Sequence, residues 1–134
     1  MSSVIETKSF AFAVRIVKLF RHVYTRSPEI KPLWQQVLRS CTSIGANVAE
    51  AVDAQSLADF ISKRAISLKE ARETHYWLRL LHETEYLTDA EFDSLHEDCL
   101  ALLRLLTASL RKLRERHQAA RKQLPQDLRT GRVR

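Results

Sequence analysis

The sequence predicts an all-α fold, an antiparallel up-down-up-down four-helix bundle, on three observations. Only 2 Gly and 3 Pro occur among 134 residues, and four of these five cluster near residues 27–32 or in the C-terminal stretch, so most of the chain lacks helix breakers. Apolar residues recur at spacings of 3 and 4 through four separate segments. Serine or threonine caps stand at the joints between them. The length suits one domain of about 100 to 150 residues, here residues 1–120 followed by a basic flexible tail over 121–134.

The first helix is expected over about residues 9–26, with Ser9 as its N-cap. Ala13, Ile16, Val17, Phe20 and Tyr24 repeat at helical spacing, and Phe12, Leu19 and Val23 widen the stripe. Arg15, Lys18, Arg21 and His22 form the polar remainder. Ser27, Pro28 and Pro32 make the first turn, because proline suits the first turn of a helix and not its interior. A second helix spans about 32–53. The third, about 56–84, opens on Ser56 and Asp59 in a capping-box arrangement and is roughly 40 Å long. The fourth, about 89–119, opens on the cleaner box of Thr88 and Glu91. Its residues Phe92, Leu95, Cys99, Leu102, Leu106, Leu110 and Leu113 are spaced as a left-handed bundle seam requires. Leu100, Leu103 and Leu105 widen this stripe and predict a second packing partner, either another helix or another subunit. Beyond Ala120 the apolar pattern stops, and a frayed tail is expected.

Charge is unevenly placed. Residues 111–134 hold nine basic side chains against Glu115 and Asp127, a net +7, so residues 1–110 carry −1 of the total +6. A concentrated cationic segment attracts phosphate by releasing counterions. The candidate contacts are Arg111, Lys112, Arg114, Arg116, Arg121 and Lys122, with Arg15, Lys18 and Arg21 on the first helix adding to them. Cys41 and Cys99 lie far apart in apolar helical patterns, which suits reduced thiols and a cytoplasmic protein. No apolar run is long enough to span a bilayer, and the N-terminus has no signal-peptide pattern, so no membrane role is expected.

Two stretches carry unusual polarity. RSCTSIGANVAEA, residues 39–51, places small and polar residues inside a helix where propensity disfavours them, and a close helix crossing accounts for that better than a ligand site on Arg39, Ser43 and Asn47. KEARETHYWLR, residues 69–79, sets Glu70 and Glu73 one turn apart, ready to receive Arg39 or Arg15. Arg39, Ser43, Asn47, Glu50, Glu70, Arg72 and Glu73 are therefore expected to form a structural polar network that fixes helix register, and Glu73→Ala is expected to lower the melting temperature sharply. Tyr76 and Trp77 are expected in the core. Catalysis is not expected, because no phosphate loop, nucleophile elbow or Cys/His pair occurs. Neither cofactor nor metal is expected: Asp93-x-x-His96 is half of a di-metal pattern, His96-x-x-Cys99 lacks two further zinc ligands, and His75 and His82 read as surface or boundary residues.

RSCTSIGANVAEA and the run DFISKRAISLKEARETHYWLRLL, residues 59–81, resemble the four-helix-bundle proteins encoded in intervening sequences of bacterial large-subunit ribosomal RNA genes. The resemblance covers residues 10–113. It implies a homopentameric ring, no enzymatic activity, and kinship in fold with the accessory variability protein of diversity-generating retroelements, which partners a reverse transcriptase and binds nucleic acid. Arg39, Ser43, Asn47 and Glu50 match the polar positions of the first motif, and Lys69, Glu70, Arg72, Glu73 and Trp77 those of the second. Cys41 departs from the Gly or Ala usual in the family, and the basic tail is this chain's own. The functional expectation is a non-enzymatic, self-associating protein that binds RNA or DNA through its phosphates. The alternative is a scaffold that binds a partner enzyme through apolar helix faces.

Overall fold

The computed structural model describes residues 3–131. Four long helices carry the fold: α1 (Val4–Arg26), α2 (Lys31–Ala51), α3 (Leu57–Glu83) and α4 (Asp89–Lys122). A single 3-10 turn over Pro28–Ile30 joins α1 to α2, and a short α5 (Gln126–Arg129) follows α4. Each long helix packs on its sequence neighbours, and α1 closes the bundle against α4.

Local chemistry explains most of the helix ends. Ser56 Oγ accepts from the Asp59 amide at 3.0 Å. Thr88 and Glu91 satisfy each other's orphan amides at 3.2 and 2.9 Å, the reciprocal box the sequence predicts. The start of α1 differs from expectation. Ser3 is the cap, accepting from the Glu6 amide at 3.1 Å, and Ser9 lies inside the helix, buried. The reason is packing. Ser9 faces Gly45 of α2, where an added Cβ would meet the Ser9 carbonyl oxygen at 3.9 Å, so a small residue stands where the two helices approach. The C-terminal end differs too. The segment expected as a mobile tail continues α4 to Lys122 and then forms α5. Ala119 and Ala120 favour helix, and Arg121 and Lys122 in the last turn complement the helix dipole. Arg132 and Arg134 lie outside the described residues.

The core is continuous. Phe12, Ile16, Trp34, Ile44, Leu78, Leu81, Leu102 and Leu106 are fully buried, each contributing about 1.5 to 3 kcal/mol relative to exposure. The α4 seam is as predicted, with Leu95, Cys99, Leu102, Leu106 and Leu110 all inward. Cys41 and Cys99 are free and buried, and burial pushes both thiols up to about 12, so they stay protonated and inert. Between α2 and α3 the polar stretch does what a close crossing requires. Thr74 Oγ1 donates to Ser40 Oγ at 2.8 Å, and Ser67 Oγ donates to the Ile44 carbonyl at 3.1 Å, so each buried hydroxyl has a partner. Trp77 packs half-buried against the core, whereas Tyr76 is 56% exposed and does not belong to it. No helix among the described residues is long and apolar enough to cross a membrane.

Candidate nucleic-acid interface

The structure separates the polar residues of α2 and α3 into three local contacts in place of one network. Arg39 holds Glu70 at 3.5 Å and also bonds Glu73, with Gln36 accepting from its Nε at 3.2 Å. Asn47 donates to the carbonyl of Ser43 one turn earlier at 2.9 Å, a contact internal to α2. Glu50 meets Lys63 at 3.0 Å. Arg72 joins none of these, because it stands two positions after Glu70, about 200° further round the helix and so on the opposite side of α3.

That opposite side faces α4 and is cationic. A cleft of about 460 Å³ between the two helices is lined by Lys69 and Arg72 from α3 and by Arg111 and Arg114 from α4, over a floor of Ala65, Leu68 and Leu110. A second cleft of about 370 Å³ continues it and adds Arg104, sharing Arg72, Thr107 and Arg111 with the first. Among the described residues the ion pairs engage Arg15, Arg26, Arg39, Lys63 and His82, so none of these five cleft cations has an acidic partner. Glu115 is the one carboxylate on the cleft wall. Unpaired guanidinium groups brought together repel, and a phosphate between them removes that repulsion while accepting two parallel N–H bonds from either.

The other expected contacts are distributed differently. Lys112 and Arg116 are exposed but line neither cleft, because helical rotation turns them away from Arg111. Arg121 and Lys122 close α4, and Arg121 Nη2 donates to the Arg129 carbonyl at 2.7 Å. Arg15 is tied across to α4, donating to Asp98 and to the Ser94 hydroxyl, so its charge is already partnered. Lys18 and Arg21 are exposed on α1, a helix that does not share the α3/α4 cleft. Lys69, Arg72 and Arg104 are the cleft cations that the sequence reading did not name as contacts, Arg72 having been expected in the structural polar network. Their signal was available in phase: Lys69 and Arg72 are three apart on one helix, and Arg104 and Arg111 seven apart on the other.

A contrasting cleft of about 420 Å³ lies between α1 and α2, walled by Phe10, Ala13, Gly45, Ala46, Ala49 and Val52. Phe10 is 72% exposed, and Val17 and Tyr24 follow it at intervals of seven, so α1 presents an uncovered apolar stripe.

Comparison with known proteins agrees with this architecture. A protein of unknown function from the S23 ribosomal protein family of Bacteroides thetaiotaomicron superposes with a TM-score of 0.75 at 47% identity, over 80% of this chain and 98% of that one. No curated protein sequence matches significantly. The family model described as 23S rRNA-intervening sequence protein matches residues 2–108, and the chain belongs to that family.

Proposed function

We propose that this protein is a non-enzymatic, self-associating nucleic-acid-binding protein that holds phosphate backbone along the α3/α4 cleft. The observation that carries this reading is the convergence of Lys69, Arg72, Arg104, Arg111 and Arg114 with no acidic partner among the described residues. Such a track reads charge and spacing and not base identity, since nothing in it is arranged to meet base edges. Self-association supports the same reading. The exposed stripe of Phe10, Val17 and Tyr24 beside the α1/α2 cleft suits burial against another copy, and the homopentamer implied by the family resemblance would repeat the cationic cleft five times and raise avidity without new contacts. Buried, protonated Cys41 and Cys99 suit the reducing cytoplasm.

The apolar stripe also favours a second reading, a scaffold that covers α1 with a partner protein and uses the cleft cations for solubility alone. The two separate on one experiment. Because α4 runs well beyond Leu110, the clean variant replaces Lys69, Arg72, Arg111 and Arg114 by Gln and leaves the helix whole. Binding to a labelled structured RNA and to duplex DNA is followed across a salt series. The proposal predicts that the logarithmic salt slope falls by about 3 to 4 in the variant, one unit for each lost phosphate contact. Equal slopes, or no binding by the parent chain at low salt, would favour the scaffold. Light scattering tests assembly, and a lone 15.5 kDa subunit would contradict it.

A further inference from the structure

Past Arg104 the groove between α3 and α4 runs on into a third cleft, of about 350 Å³, walled by His75, Arg79, His82 and Glu83 of α3 and by Phe92 and His96 of α4. Helical spacing makes it the continuation of the first two. Arg72, His75, Arg79 and His82 stand three, four and three apart on α3, and Arg104, Leu100 and His96 follow one another at intervals of four on α4. Its fixed charges differ from theirs. Arg79 is exposed and joins no ion pair among the described residues, but Glu83 opposes it on the same wall. The other carboxylate at this end, Asp89 of α4, is taken by His82 at 2.7 Å.

The imidazoles decide the balance. Nε2 of His75 and Nε2 of His96 lie 2.8 Å apart, an N–H···N hydrogen bond that joins the two helices. Phe92 stacks on His82 with centroids 4.1 Å apart and on His96 at 4.7 Å, which braces the His96 ring. In the neutral pair the donor ring carries its hydrogen on Nε2 and leaves its own Nδ1 bare. A proton added at that Nδ1 makes the ring an imidazolium and leaves the Nε2 hydrogen in place, so the bond survives. The pair thereby gains one unit of charge without parting α3 from α4.

We propose that this cleft is a proton-gated phosphate subsite: near neutral pH Arg79 and Glu83 balance, and one proton on the His75–His96 pair makes the cleft cationic, so that it holds a further nucleic-acid phosphate beside Arg79. The inference rests on the reading of the α3/α4 groove as a phosphate track and adds to it a position and a pH dependence. Burial, with His96 and Arg79 adding to it, holds His75 below its ordinary value, so the charged form is opposed in the free protein. A phosphate in the cleft neutralises Arg79 and attracts the imidazolium. Phosphate uptake and proton uptake therefore reinforce each other, and affinity rises as pH falls through the range in which imidazoles titrate.

Binding of the full chain to labelled duplex DNA, measured across a salt series at about pH 7.5 and at about pH 5.5, tests this. The parent chain should bind about fivefold or more tighter at the lower pH, with a logarithmic salt slope steeper by about one unit. A double variant, His75→Gln with His96→Gln, checked for an unchanged helical spectrum, should match the parent chain at the higher pH and lose most of the acid gain. His22→Gln, at an exposed position of α1, should keep that gain. Binding at the higher pH with no acid gain, or with a gain equal in the parent chain and the double variant, would overturn the subsite and leave the track standing; no binding at either pH would overturn both. If the double variant loses helix, Arg79→Gln replaces it, with a slope lowered by about one unit at the lower pH and unchanged at the higher. A slope equal to the parent's at both pH values would then overturn the subsite.

Discussion

Within one turn of α3, Glu70 and Glu73 look toward α2 while Lys69 and Arg72 look toward α4, and the two faces meet opposite fates. The acidic pair finds Arg39. The basic pair finds Arg104, Arg111 and Arg114, and no carboxylate bonds to any of them among the described residues. Basic side chains gathered without a carboxylate partner make a cationic face, the kind of surface that an anionic partner would meet. The contrast teaches that an alternating charged segment on a helix is two segments in space, separable by their phase alone.

Substitutions on the two faces sharpen or break this contrast. The largest stability effect is expected from Arg39→Ala. It strands Glu70, whose side chain is only 11% exposed, and should cost about 1 to 2 kcal/mol by denaturant unfolding. Glu73→Ala removes a carboxylate that is 38% exposed, and Arg39 is itself half exposed, so solvent screening reduces the loss to about 0.5 kcal/mol. That is smaller than the sharp effect the sequence suggests, because the sequence does not show how open the pair is to water. Arg72→Ala should be smallest, within about 0.5 kcal/mol of the parent protein, since no partner loses a bond. A destabilisation by Arg72→Ala as large as that by Arg39→Ala would erase the distinction between the faces.

Much of the fold was legible because its signals are local. Ser56 and Thr88 announce α3 and α4, the 3 and 4 spacing of Leu95, Cys99, Leu102 and Leu106 fixes the buried side of α4, and the two long motifs lead to the family that the chain proves to join. Ser9 misled because a small polar residue can cap a helix or let a neighbour approach. Ser3 with Glu6 carried the same Ser-x-x-Glu pattern and was the true cap. Tyr76 read as core because aromatic residues on an apolar helix usually are, yet its phase follows Lys69 and Arg72 outward. The cationic cleft was half legible. Arg111 and Arg114 drew notice as part of a basic run, but pairing them with Lys69 and Arg72 required knowing that α3 lies beside α4. The contact of His75 with His96, whose Nε2 atoms lie 2.8 Å apart, was beyond reach, since the two are 21 positions apart in sequence and their meeting depends on the register of two helices.

The central claim is that the α4-facing side of α3 contacts phosphate and the α2-facing side does not. Measuring RNA affinity against salt concentration for Arg72→Ala and Arg39→Ala in parallel tests it most directly. Arg72→Ala should lower the logarithmic slope by about one unit and Arg39→Ala should leave it unchanged. Equal slopes in all three proteins, or a loss confined to Arg39→Ala, would contradict it.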